Sequence, residues 1–329
     1  MPSLTGKPIG PTGFGLMGLP TRIPPISDEQ AFKAMKAAID SGMTFWNGGE
    51  FYGPPERNSQ TLLAKYLRQY PEDADKIVLS VKGAFSFATM SPDGSPEGIK
   101  RSIDKILADL DGTHKIDIFE CARVDTKVPL ETTLKILEEE YVKKGIIGGI
   151  ALSEVSAETI RRAAACTKIV AVEVEVSLWN TQALDNGVAA ACSELNIPIV
   201  AYSPIGQGML GGQFKSLDDL PKDDLRRTYP RFQPENFKIN LELVKQLEIL
   251  AKQKGCTAAQ LAIAWVQSLS TRPNMPTFIP IPGATTEARV RENGVQVKLT
   301  EGDLKNIQHV LDKFEVVGDR YPTGWLTDG

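Results

Sequence analysis

Eight times along this chain of 329 residues a short apolar or β-branched run gives way to a longer amphipathic one, and no linker interrupts the series. "FGLMGL" (14–19) leads to "DEQAFKAMKAAIDSG" (28–42), "MTFWN" (43–47) to "RNSQTLLAKYLRQY" (57–70), and "KIVLSVK" (76–82) to "SPEGIKRSIDKILADL" (95–110). "KIDIFECA" (115–122) precedes "LETTLKILEEEYVKKG" (130–145), "IIGGIALS" (146–153) precedes "SAETIRRAAAC" (156–166), and "KIVAVEVEVS" (168–177) precedes "NGVAAACSELN" (186–196). "IPIVAYS" (197–203) is followed by a long polar loop and two amphipathic runs beginning at Leu241 and Thr257, and "PTFIPIPG" (276–283) by "TEARVRENG" (286–294). Local signals agree with this division. Acidic residues open the first helical run and Gly42 closes it, while Ser95 and Pro96 supply a cap and a first helical residue.

Strict strand–helix alternation implies parallel strands joined by right-handed crossovers. Eight such units, at the ~250 residues typical of the fold plus insertions, favour closure into a barrel over an open doubly wound sheet. The expected architecture is α/β, a single (β/α)8 TIM barrel domain over residues 1–329. A C-terminal helix and tail follow the eighth unit, from "LTEGDLKNIQHVL" onward. All eight strands then end on one face, and a site is expected there.

Acidic residues (41) outnumber basic ones (37), for a net charge of −4, so neither nucleic acid nor an anionic membrane is an expected partner. No run approaches the ~20 apolar residues of a membrane span, and "MPSLTGKPIGPTG" lacks the apolar core of a secretory signal. Cys121, Cys166, Cys192 and Cys256 show no CxxC spacing, and the histidines are His114 and His309 alone. No metal site is expected, and a reduced, cytoplasmic setting fits best.

Two glycine patterns, "GFGLMG" (13–18) and "GQGMLG" (206–211), match the dinucleotide fingerprint, which must follow a strand and open a helix. The first runs into "LPTRIPP", whose prolines argue against a helix, and the second into "GQFKSLDDLPKDD". A classical dinucleotide fold is therefore not expected. The second loop remains open between a backbone phosphate cradle and a plain lid. "FWNGGEFYG" (45–53) poses a similar choice, since Tyr52 reads on its own either as a proton donor or as a core aromatic with a satisfied hydroxyl.

Read together, the strand ends resemble the aldo-keto reductases. "FWNGGEFYG" looks like their F-D-T-A-E-x-Y-G motif, "LSVK" their lysine strand, "IDIFECARVD" their D-L-Y-x-x-H-R-x-D strand and "ALSEVS" their G-L-S-N turn. "VEVEVSLW", "YSPIGQGMLGG", the lid-like "LRRTYPRFQPENFKIN" and "IPIPGATTEARVREN" continue the series in order to residue 293. Within that family the "VGDRY" tail and several of these stretches look most like the fungal pyridoxal reductases. The resemblance implies NADPH on the C-terminal face and a small aldehyde, most readily pyridoxal, as substrate. It places Tyr52 on the proton donor, Lys82 on its partner and Asn47 on the family's aspartate. Ser153 and Glu173 fall on nicotinamide contacts, and Ser203, Pro204, Ile205, Gly206 and Gly208 on the pyrophosphate loop. Gly283 and Arg289 fall on the 2′-phosphate clamp, and Glu292 and Asn293 on adenine contacts.

Several positions depart from the pattern. The aspartate is Asn47, the catalytic histidine is Ala122, the glutamine is Glu173, and the first basic residue of the clamp is Gly283. Loss of the carboxylate at position 47 is expected to lower the pKa of Lys82. Glu120, about 7 Å deeper than Ala122 on the same face, reads either as a replacement counter-ion or as a pair within the core. Glu175 shares a face with Glu173 and needs a partner of its own. Tyr321 and Trp325 in the tail read as a cover for substrate or as a loose end. Two alternatives accompany aldehyde reduction: a broad aldehyde or ketone reductase, and an NADPH-binding regulatory subunit with little turnover. The sequence leaves oligomeric state open.

Overall fold

The strands are buried on both faces and largely apolar, with polar residues confined to their upper, inward positions. In the computed structural model, which describes residues 2–86 and 89–322, they are β1 Phe14–Gly15, β2 Phe45–Gly49, β3 Val78–Gly83, β4 Ile118–Cys121, β5 Ile150–Ser153, β6 Ile169–Glu175, β7 Ile199–Tyr202 and β8 Phe278–Pro280. Each pairs in parallel with the next, in chain order. The series closes on itself through a parallel bridge between Gly15 and Gly283, with the N–H of Gly13 donating to Pro280 O at 2.9 Å. The fold is the expected (β/α)8 barrel.

Side chains alternate across each strand with period two. Phe45, Val78, Ile118, Ala151, Ala171, Val200 and Ile279 point inward and pack with Leu4 and Ile9 of the N-terminal hairpin at the barrel floor. Their neighbours Trp46, Leu79, Phe119 and Val172 point outward into the larger core beneath the helices. Going two residues up β2, β4 and β6 from that floor, or four up β3, changes the inward set to Asn47, Lys82, Glu120 and Glu173, all buried. The barrel interior is thus apolar below and ionic above.

Caps set the helix starts as the sequence signals. Ser27, Ser95, Ser156 and Thr286 each accept an N–H from the first turn of the helix that follows. The extra C-terminal helix spans Glu301–Leu311, capped by Thr300.

Three elements differ from expectation. "FGLMGL" contributes β1 as two residues only, and Gly18–Thr21 is a helical turn despite Pro20, since a proline that early sacrifices no intrahelical donor. The helix from Leu130 widens into a π turn over Leu137–Val142. The helix read from Leu241 begins at Pro234, where proline suits the first position, and runs to Lys254. Among the described residues no helix is long and apolar enough to cross a membrane.

The first glycine pattern belongs to the barrel seam. A Cβ on Gly13 would lie 2.7 Å from Phe45 O, and one on Gly15 would lie 3.0 Å from Ile281 O. Those glycines let β1 approach β2 and β8, and no cofactor is needed to explain them. Gly283, expected on the 2′-phosphate clamp, meets Gly15 across the same seam.

Candidate active site

Register brings four strands to one ammonium group. Gly49 of β2 pairs with Lys82 of β3, and Lys82 pairs with Glu120 of β4. Glu173 reaches the same point from β6. Lys82 Nζ donates to Glu120 Oε1 at 3.1 Å and makes a closer ion pair with Glu173 Oε1. Asn47 knits the group together. Its Oδ1 accepts from Lys82 at 3.4 Å, and its Nδ2 donates to Glu173 Oε2 at 2.6 Å and to Glu120 Oε1 at 3.3 Å.

This arrangement corrects one expectation, the one for Asn47. Its missing charge does not lower the pKa of Lys82, because the carboxyls of Glu120 and Glu173 return the charge that Asn47 lacks. Burial pulls that pKa down, but the charges of Glu120 and Glu173 outweigh it and hold it well above the ordinary lysine value. Glu173, which resemblance assigns to the nicotinamide, is here also part of the lysine cluster. Both of its oxygens are engaged by Lys82 and Asn47. Of the two readings of Glu120, the structure favours the counter-ion.

Tyr52 stands above this cluster in the turn after β2. Its N–H donates to Gly49 O at 2.9 Å, and Ser59 Oγ clamps Gly49 by accepting from its N–H and donating to its carbonyl. The tyrosine ring packs directly on Gly49, where a Cβ would meet three of its carbons at 3.0–3.1 Å. Glycine at 49 lets the ring lie close over the register partner of Lys82, and a larger residue would push it outward by a few tenths of an ångström. Burial raises the phenol's pKa, Lys82 pulls it down, and Glu173 and Glu120 push it up again. Ala122 is buried beside this group and offers no hydrogen-bond donor from its side chain.

The second glycine pattern forms two 3-10 turns over Gly206–Gly211 rather than an α-helix. Ser203, Gly206, Gln207 and Gly208 all have positive φ, so the chain coils tightly after β7, with Pro204 and Ile205 inside the coil. Arg226 of the lid-like segment donates to Gln207 O at 2.7 Å and lies 4.8 Å from the centroid of Phe214. Arg289 and Glu292 form an ion pair at 2.6 Å on the helix Glu287–Gly294, and Asn293 is buried beside them.

Among the described residues, four buried side-chain polar atoms lack a hydrogen-bond partner: Glu120 Oε2, Ser153 Oγ, Trp179 Nε1 and Gln207 Oε1. Buried polar atoms are almost always paired, and these four lie at or just beyond the C-terminal ends of strands β4 to β7. Ser153 Oγ and Gln207 Oε1 flank the segments on which resemblance places a dinucleotide. Groups of that polarity, beside a tightly coiled glycine loop, fit such a ligand.

A second ionic cluster went unread in the sequence. Glu154, one residue past β5, and Glu175, the last residue of β6, are both buried, and Arg320 from the tail joins them. Arg320 Nη2 donates to Glu154 Oε2 at 2.7 Å, and Nη1 lies 3.4 Å from Glu175 Oε2. The hydroxyls of Tyr321 and Tyr202 are 2.8 Å apart, and Arg231 Nε donates to Gly318 O at 3.1 Å. Up to Tyr321 the tail is docked over the barrel mouth; Trp325 lies outside the described residues. The sequence signal was Glu175, an inward carboxylate in search of a cation.

The aldo/keto reductase family model matches residues 11–312. Probable pyridoxal reductase 2 of Schizosaccharomyces pombe is 41% identical over 98% of this chain and 97% of its own length. A putative pyridoxal reductase of Saccharomyces cerevisiae is 38% identical over 94% of this chain and 95% of its own. Among solved structures, a glycerol dehydrogenase from Gluconobacter oxydans superposes with a TM-score of 0.80 at 20% identity, covering 98% of this chain and 97% of that one. At that identity the last likeness speaks for the fold.

Proposed function

This chain belongs to the aldo/keto reductase family, and we propose that it reduces pyridoxal to the corresponding alcohol with NADPH, using Tyr52 as the acid. One observation carries the reading: a lysine held charged by two buried carboxylates lies beneath a tyrosine packed on that lysine's register partner. A cofactor-binding subunit without turnover has no need of this pairing. Two fungal relatives named as pyridoxal reductases support the substrate.

NADPH, when bound, supplies a hydride. Ser153, the coil from Ser203 to Gly208 and the helix bearing Arg289, Glu292 and Asn293 would hold it. Tyr52 gives its proton to the oxygen of the reduced carbonyl, and Lys82 offsets the charge left on the phenolate. Ala122 leaves room beside the carbonyl but no donor. A substrate whose own hydroxyl lies next to its aldehyde supplies that hydrogen bond internally, as pyridoxal does.

Oxidation of NADPH by the purified protein, followed across a panel of aldehydes, tests the reading. Pyridoxal should give the highest kcat/KM. Comparable values for simple aldehydes would make this a broad reductase, and tight NADPH binding without turnover would make it a binding subunit.

A further inference from the structure

One ammonium and two carboxyl groups meet in the barrel core, and their charges do not balance. Lys82, Glu120 and Glu173 are each no more than 5% exposed, and the remaining member, Asn47, is neutral. With both carboxyls ionised the cluster carries a net negative charge shielded from water, an arrangement that proteins avoid by taking up a proton. Neither nearby arginine pairs with these carboxyls. Arg123, which follows β4, donates to Ala122 O at 2.6 Å, and Arg320 is committed to Glu154 and Glu175. From β5 the cluster is flanked by the neutral Ser153, and from the turn after β2 by Tyr52.

We propose that Glu120 and Glu173 hold one proton between them at neutral pH, so that the core around Lys82 is neutral when Tyr52 acts. The hydrogen bonds leave one oxygen of the pair free to carry that proton. Both oxygens of Glu173 accept from Lys82 or Asn47, and Oε1 of Glu120 accepts from both, whereas Oε2 of Glu120 is buried without a partner. A proton on that oxygen displaces no existing hydrogen bond. Burial, reinforced by the charge of Glu120, pushes the Glu173 carboxyl up to about 8 against the pull of Lys82. Two groups this close titrate as a unit.

The consequence for Tyr52 rests on the reductase reading above. Both carboxylates oppose phenolate formation there and Lys82 favours it. A pair holding one proton leaves Lys82 balanced by a single charge, and a bare pair leaves a surplus that suppresses ionisation of the phenol. Glu120 and Glu173 are in this sense positioning residues that set the acid strength of Tyr52.

Infrared difference spectra of the cofactor-free protein test the shared proton without any need for turnover. At pH 7, wild type minus Glu120→Gln should show the carbonyl stretch of a protonated carboxyl that shifts in D2O. Wild type minus Glu173→Gln should show the same band, because either variant leaves a single carboxylate balanced by Lys82. Titrating wild type alone from pH 7 to pH 10 should remove the band, which keeps the test valid if a variant fails to fold. No such band in wild type overturns the proposal and leaves the reductase reading intact. The band in a protein that oxidises NADPH with no aldehyde would count against the reductase reading alone. In the active enzyme, kcat of wild type should fall by roughly tenfold to a lower plateau as the pair loses its proton, and Glu120→Gln should lose that alkaline limb. An unchanged limb in the variant would overturn the link to Tyr52.

Discussion

Lys82 and Glu120 stand directly opposite each other on adjacent parallel strands, and their side chains meet at 3.1 Å in a buried setting. The charge that Asn47 lacks is thereby returned from two other strands, since Glu173 joins the same ammonium from across the barrel. What moved is the address of the carboxylate. The ammonium remains charged.

Removing the cation should expose that dependence. Lys82→Met leaves two buried carboxyls without a positive partner, a change that costs about 3–5 kcal/mol when both stay ionised. Deprived of Lys82, the carboxyls bind protons more tightly in the folded state than in the unfolded one. Their raised affinity favours folding at acid pH and is lost as pH rises through the folded-state value. Urea unfolding should therefore show a small penalty near pH 5 and a large one near pH 8.5. Equal penalties at the two pH values would mean that packing, not charge, governs the cluster.

The tail cluster titrates in the opposite sense. Burial raises the Glu154 carboxyl, but hydrogen bonding to Arg320 and its charge outweigh this and leave it below the ordinary value. Stabilisation from a lowered carboxyl is present above the unfolded value near ~4.5 and disappears as pH falls through the folded one. Arg320→Ala should cost about 3 kcal/mol at pH 7, the lower end for a broken buried pair, and progressively less toward pH 4. A variant as stable as wild type at pH 7 would show that the tail adds nothing to the fold.

The fold could be read in the sequence because β/α alternation is a local signal repeated eight times. Tyr52 and Lys82 were legible for a related reason: each lies in a motif contiguous along the chain. Glu120 and Glu173 were visible as inward carboxylates from period two alone. Their meeting on Lys82 depends on the register of β3 with β4 and on how the barrel closes, neither of which a single sequence specifies. Arg320 was harder still. It lies 145 residues from Glu175, and its own neighbourhood, "VGDRY", carries no periodicity. The glycines of "GFGLMG" match a dinucleotide fingerprint because a close strand seam and a phosphate cradle call for the same residue, and it was the prolines after them that argued against the second reading.

Cofactor preference should turn on Arg289. It is bound by Glu292 at 2.6 Å on a partly exposed helix, where an ion pair holds weakly enough to be redirected to a phosphate. Arg289→Ala should weaken NADPH binding by roughly 1.5–3 kcal/mol, the range for a hydrogen bond to a charged group, with little change for NADH. Glu292→Gln should strengthen NADPH binding slightly by releasing the guanidinium. Fluorescence titration of both cofactors measures this, and equal losses for the two would remove Arg289 from the 2′-phosphate.

The absent histidine leads to a prediction about the substrate rather than the protein. Ala122 leaves the carbonyl without a side-chain donor at that position, so polarisation must come from elsewhere. Pyridoxal carries a phenolic hydroxyl ortho to its aldehyde, and if that group does the work, its removal should lower kcat/KM by roughly 10²-fold, the scale of one oxyanion donor. The 3-deoxy analogue is the cleaner probe, because it is smaller than pyridoxal and steric exclusion does not confound it as it would a methyl ether. Ala122→His should then raise activity toward aldehydes lacking the hydroxyl more than toward pyridoxal itself. A deoxy analogue reduced as fast as pyridoxal would assign the polarisation to the protein, and the unpartnered oxygen of Glu120 would be the first group to test.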